Sequence, residues 1–117
     1  MDEEYLELVL DLVAAVPPGR AVTYGLLAEL VVEELVRTGR PARGGPRQVG
    51  HVLARAGSAV PWWRVVNATG RPPAAWAATA REHLVQEGTP LTPDGTRVRL
   101  RAAVWWPAQP PGDRPAD

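Results

Sequence analysis

The chain contains no cysteine, which excludes disulfides, thiolate metal sites and a cysteine nucleophile. It contains no lysine either; every basic residue is arginine, a bias that a GC-rich genome would produce as readily as a chemical need. No apolar run approaches the length that crosses a membrane, and the best of them, Leu8 to Val16, is interrupted by Asp11. The opening Asp2-Glu3-Glu4 has the wrong sign for a secretory signal. These absences lead to the expectation of a soluble cytoplasmic protein with no membrane partner. The two histidines, His51 and His83, have no cysteine to join them, so no metal and no cofactor is expected.

What is present suits one compact domain. The 117 residues, 45% of them apolar, provide for a single core and argue against disorder. Formal net charge is zero, but the two signs are separated along the chain. Asp2, Glu3, Glu4, Glu7, Asp11, Glu29, Glu33 and Glu34 crowd the first third, with Arg20 alone opposing them. From Leu35 to Arg81 there is no acid, while Arg37, Arg40, Arg43, Arg47, Arg55, Arg64, Arg71 and Arg81 accumulate. Such a stretch suits a polyanion better than the overall charge suggests.

Apolar spacing predicts four helices. Tyr5, Leu8, Val9, Leu12, Val13 and Val16 recur at helical intervals until Pro17-Pro18-Gly19 stops them. Thr23 is placed to cap a second helix whose apolar face is Leu26, Leu27, Leu30, Val31 and Val36. Thr38 to Gly45 reads as a mobile basic loop. Pro46 suits the first position of a third helix that turns Val49, Val52 and Leu53 inward and ends at Gly57. Pro61 to Val66 is expected to be extended, and Asn67 to Gly70 to turn. A fourth helix, from about Ala75 to Glu87, carries Trp76, Ala80 and Leu84 on one side, with Gly88 behind it. Asp94-Gly95 predicts a hairpin from Leu91 to an alternating Val98/Leu100 strand. The expected class is mainly α with a small β-hairpin wing, a winged helix-turn-helix-like domain. It spans residues 1–107, ahead of a Pro-rich, disordered tail at 108–117.

Three segments, in order, resemble the C-terminal DNA-binding domain of the O6-alkylguanine-DNA alkyltransferases. Val16-Pro17-Pro18-Gly19-Arg20 followed by Val22-Thr23-Tyr24-Gly25 is similar to that family's entry into its second helix. Pro46-Arg47-Gln48-Val49-Gly50 resembles its recognition helix. Pro61-Trp62-Trp63-Arg64-Val65-Val66 lies where the family carries its Pro-Cys-His-Arg signature, and Glu87-Gly88 and the Asp94-Gly95 hairpin follow in the expected order. Tryptophan at the cysteine position marks the alkyltransferase-like proteins, although these usually keep the histidine that Trp63 replaces here. An indole offers neither a nucleophilic lone pair nor a useful acid–base group. No transferase chemistry is therefore expected, and Glu87 is left with no histidine to orient.

The resemblance implies a non-enzymatic monomer that binds O6-alkylguanine in double-stranded DNA through a helix in the minor groove, flips the base, and flags it for nucleotide excision repair. Tyr24 would crowd the target phosphate, and Arg47 would fill the vacated stack. Gly50 would let the third helix approach the groove, which is compatible with its making helix-packing space as well; Gln48 and His51 would contact DNA beside it. Trp62 would wall the lesion pocket, with Trp63 behind it, Arg64 as a brace and the Val65 carbonyl facing the base. Arg71 and Trp76 flank the pocket loop, although Trp76 fits the inner face of the fourth helix as well.

Three other readings stay open on the sequence. A winged-helix transcription regulator would bind undamaged DNA. A degenerate enzyme would need Ser58 or Thr69 as nucleophile, neither of which has an evident base. A protein–protein adaptor would use the acidic first helix as its surface.

Overall fold

The computed structural model describes residues 2–107; the tail expected at 108–117 lies outside them. Helix α1 (Glu3–Ala15) is capped by Asp2, whose carboxylate accepts the Tyr5 N–H at 3.1 Å. Glu3 and Glu4 in its first turn match the positive end of the helix dipole. Tyr5, Val9 and Val13 recur every four residues and are buried.

Helix α2 (Tyr24–Arg37) begins as expected, with the Thr23 hydroxyl oxygen accepting the Leu26 N–H at 3.0 Å. Leu27, Val31 and Leu35 form its fully buried row. Val36, expected inward, is 59% exposed, because the residue after Leu35 turns away from that row. Truncation inside the row removes contacts that neighbours cannot replace, so Leu27→Ala should cost about 2–5 kcal/mol in urea unfolding. Helix α3 (Pro46–Ala56) starts on its proline, buries Val49, Val52 and Leu53, and is closed by Gly57 at a φ of +57°.

The basic loop between α2 and α3 is tied down rather than free. Arg43 binds Asp2 at 2.6 Å and Glu4 at 2.9 Å, and Arg40 binds Glu4 as well. These partners hold the Asp2 and Glu4 carboxyls below their ordinary range, with Arg43 the largest influence on each. Gly44 lies so close to the Tyr5 ring that a β-carbon there would come within 2.4 Å of it. The charge separation seen along the chain is thus partly cancelled in space.

Two short strands, β1 (Val22–Thr23) and β2 (Val65–Val66), pair in parallel, with Val22 opposite Val65 and Thr23 opposite Val66. Side chains alternate across such a ladder, so it separates two apolar clusters. Val22 and Val65 join the core formed by α1, α2 and α3. Ala21 and Val66 join a smaller one containing Leu84, Val98 and Ala103. Trp62–Arg64, expected to be extended, instead form a 3₁₀ turn before β2. Pro61 accepts the Arg64 N–H at 3.1 Å, and this tight turn sets the two adjacent indoles at 85° to each other.

Helix α4 (Ala77–Gln86) follows a 3₁₀ turn at Ala74–Trp76. Ala80 and Leu84 are buried, but Trp76 is 62% exposed. Its place in the tighter turn puts it out of register with the buried face of α4. The hairpin is present in reduced form: Leu91 and Val98 make one antiparallel bridge, flanked by a bond from the Thr92 N–H to the Arg97 carbonyl at 2.8 Å. Leu100, expected in a strand, opens the short helix α5 (Leu100–Ala103). That helix returns the chain to β1, where the Ala21 N–H donates to Ala103 at 2.9 Å. Gly70 holds the hairpin to the 67–70 turn: its φ is +88°, and a β-carbon would stand 2.3 Å from the Val98 oxygen. Gly70→Ala should therefore destabilise by at least ~1–3 kcal/mol, the usual cost of a strained backbone, seen as a lowered Tm.

Candidate nucleic-acid interface

Helix α3 sorts its residues by the helical period. Gly50 and Leu53, with Gly57 just past its end, line a groove whose other walls are Tyr24, Trp62 and Trp76. Gln48, His51 and Val52 face a separate depression beside Tyr5 and Arg43. Arg47 is exposed and lines neither. Its guanidinium bonds to nothing among the described residues. Gln48 already has a structural partner, since its side-chain oxygen accepts the Gly45 N–H at 2.9 Å and caps the helix.

The groove encloses about 480 Å³, within the ~300–1,000 Å³ of sites that take small-molecule groups. Tyr24 is the first residue of α2 and half-buried at the groove edge, where burial pushes its phenol above the usual range. Gly50 leaves open space, since a β-carbon there would meet nothing within 4 Å. No described neighbour packs into that space. Trp76, 62% exposed, supplies an indole to the groove instead of to the helix interior.

Trp63 and Arg64 form a layer that does not line the groove. Trp63 stacks on His83 with centroids 3.8 Å apart and planes 9° from parallel. Trp62 meets Trp63 edge-on at 5.9 Å, so the wall indole is backed by a stacked pair. Arg64 reaches both oxygens of Glu87 and donates to the Val16 carbonyl at 2.8 Å, while its guanidinium carbon lies 5.4 Å from the Trp63 ring centroid. Glu87, expected to have nothing to orient, is therefore half of a mostly buried ion pair. Burial pushes its carboxyl up; the Arg64 hydrogen bonds, the nearby Trp63 indole N–H and the Gly19 N–H outweigh that and hold it below the ordinary value. The Trp63 nitrogen itself is buried and completes no hydrogen bond of good geometry. Val65 is buried in β2 and contributes no lining to the groove.

Arg71 does not reach this groove. It lines an adjacent cavity with Arg81 and Arg97, because the chain leaves the Gly70 turn on the far side of the 72–79 segment. Sequence reasoning also missed His83, although Ala80, His83, Leu84 and Glu87 share one face at helical spacing. Ser58 lines the groove too, while the Thr69 hydroxyl donates to Asn67 at 2.7 Å. Among the described residues neither hydroxyl bonds to an imidazole, and no cluster of acids and histidines of metal-binding size occurs. No described helix is long and apolar enough to cross a membrane.

The family model described as 6-O-methylguanine DNA methyltransferase, DNA binding domain, matches residues 4–89. A protein of Escherichia coli (strain K12) named "DNA base-flipping protein" is 41% identical over 71 residues, covering 59% of this chain and 48% of that protein; the Shigella flexneri protein of the same name matches equally. The chain thus spans about half the length of the curated relatives it matches. Among solved structures, S. pombe Atl1 in complex with damaged DNA containing O6-carboxymethylguanine superposes with a TM-score of 0.70 at 28% identity, covering 92% of this chain and 99% of that one. S. pombe ATL in complex with DNA gives a TM-score of 0.66 at 30% identity, covering 92% and 98%.

Proposed function

The chain belongs to the family of the 6-O-methylguanine DNA methyltransferase DNA-binding domain, and from that premise we propose that it is a non-enzymatic reader of O6-alkylguanine in duplex DNA. The observation that carries this reading is the Tyr24–Trp62–Trp76 groove beside α3 in a chain without cysteine. A base can enter such a groove only after leaving the stack. Indole faces then offer it stacking surface and leave apolar room for the alkyl group, without attacking it. In this reading α3 lies in the minor groove, which the open space at Gly50 supports. Tyr24 crowds the phosphate of the target nucleotide, and Arg47 enters the duplex in its place. Trp63, Arg64 and Val65 act from behind, fixing the wall rather than touching the lesion.

The relatives support the same activity by their names, one as a base-flipping protein and one as a protein bound to damaged DNA. A reader that does not repair must pass its lesion on, and nucleotide excision repair proteins are the proposed recipients. A surface distinct from the groove supports that step: α1 and α2 present Asp11, Glu29 and Glu33 around Leu30. The proposed protein acts as a cytoplasmic monomer.

Two measurements test the reading. Titrating matched duplexes, one with guanine and one with O6-methylguanine, at a fixed salt concentration should show tighter binding to the methylated duplex. Equal affinity for both, with selection among undamaged sequences, would instead indicate a transcription regulator. Incubation with radiolabelled methylated DNA should leave all label on the nucleic acid; stoichiometric label on the protein would overturn the assignment.

A further inference from the structure

The cavity on the other side of the 72–79 segment encloses about 380 Å³ and has Leu84, Leu91 and Val98 as apolar lining. Arg71, Arg81 and Arg97 stand around it, all exposed. Four arginines elsewhere are matched to acids, Arg37 to Glu34, Arg40 and Arg43 to the start of α1, and Arg64 to Glu87, and Arg20 and Arg99 are held by backbone carbonyls. Among the described residues Arg71, Arg81 and Arg97 have no ion pair, and their guanidinium groups bond to nothing. The acid on the same hairpin turn as Arg97 is Asp94, whose Oδ1 already accepts the Thr92 and Thr96 hydroxyls and the Thr96 N–H. Arg97 is among the influences that keep it ionised.

The position of Arg81 depends on Gly95. A β-carbon at Gly95 would lie 2.7 to 2.9 Å from the Arg81 guanidinium, so the glycine is what lets that group lie against the hairpin turn. Ala74, Ala77 and Ala78, the first residues of the 74–86 helical run, form another wall. The positive end of that helix adds to the same potential. Guanidinium forks match phosphate oxygens in pairs, and the apolar lining suits a sugar.

The two cavities share a wall one segment thick. Pro73, Trp76 and Thr79 face the aromatic groove, whereas Pro72, Ala74, Ala77 and Ala78 face the arginines. We propose that the Arg71–Arg81–Arg97 cavity seats the sugar-phosphate backbone of the DNA strand whose nucleotide occupies the Tyr24–Trp62–Trp76 groove. This rests on the DNA-reading assignment and adds a second anchor to it. A backbone contact carries no base information, so this anchor sets affinity and salt dependence while the groove sets lesion preference.

The test is an anisotropy titration of the guanine and O6-methylguanine duplexes across a salt series. The combined variant Arg71→Gln/Arg81→Gln/Arg97→Gln should weaken both duplexes by the same factor, tenfold or more. It should leave their ratio within about threefold of wild type and lower the log–log salt slope by about 0.9 for each phosphate lost. Arg37→Gln, which removes an arginine already paired with Glu34, should change neither quantity. Arg97→Gln alone, on the hairpin and clear of α4, should lose about one phosphate's worth of slope, and it keeps the test readable if the combined variant fails to fold. Unchanged affinity and slope in both variants, with wild type binding normally, would overturn the anchor and leave the groove assignment standing. Displacement of the duplex by deoxyguanosine monophosphate at equal phosphate concentration would overturn it in favour of a free nucleotide. Failure of wild type to bind either duplex would overturn the DNA reading, and the anchor with it.

Discussion

Arg47→Ala should abolish most of the preference for an O6-methylguanine duplex while weakening binding to undamaged DNA only slightly. The asymmetry follows from when the side chain acts. Arg47 is exposed at the start of α3, outside the aromatic groove, and is engaged by nothing among the described residues. Its insertion into a duplex is favourable only once a base has left the stack. Unstacking costs on the order of a few kcal/mol, and least where pairing is already damaged. Losing the plug should therefore remove at least tenfold of discrimination, equivalent to about 1.4 kcal/mol. A 2-aminopurine beside the lesion should brighten with wild type and stay dim with the variant. Tyr24→Phe should be milder than Tyr24→Ala, because it keeps the half-buried ring that is proposed to crowd the phosphate. Retention of both the fluorescence change and the lesion preference in Arg47→Ala would remove base flipping from the mechanism, however tightly the protein binds.

Arg64→Ala should be among the most destabilising single changes in the chain. Its guanidinium joins three parts of the fold: Glu87 at the end of α4, the Val16 carbonyl at the end of α1, and the Trp63 ring. The Arg64 and Glu87 side chains are only 12% and 13% exposed, so removing one leaves the other charged with little water to solvate it. Breaking such a buried pair costs about 3–5 kcal/mol. Glu87→Gln, which keeps a hydrogen-bonding group in place, should cost less, about 1–3 kcal/mol. The Glu87 carboxyl is held below its ordinary value near 4.5 in the folded protein. Its contribution is complete above that value and lost as pH falls through the lower folded one. Urea unfolding of wild type should accordingly weaken below about pH 4.5, and Glu87→Gln should lose that share of the acid sensitivity. Equal unfolding midpoints for wild type and Arg64→Ala at neutral pH would refute this account.

The helices were legible because their signals are local. Thr23, Pro46 and Gly57 act on backbone groups within a few residues of themselves, and the four-residue recurrence of Tyr5, Val9 and Val13 marks a buried face whatever it packs against. The β1–β2 ladder was not legible, because two residues carry no periodicity and their partners lie more than forty positions apart. The inner-face alternative for Trp76 failed for a related reason. The sequence does not reveal that a 3₁₀ turn precedes α4 and shifts that indole out of the helical register.

By itself the sequence determined that a cysteine-based transfer is impossible here, that two indoles stand where an alkyltransferase-like motif begins, and that Tyr24 and Arg47 each lie in the first turn of a helix. These follow from residue identity and from short-range backbone chemistry. Only the tertiary structure decided which side chains meet. It placed Trp76 with Tyr24 and Trp62, and set Trp63 against His83. It matched Arg40 and Arg43 to the acids of α1, and left Arg71, Arg81 and Arg97 around a cavity of their own. Charge counted along a chain says nothing of which charges are neutralised, because ion pairing depends on distances of a few ångströms in space, and packing of the two cores sets those distances.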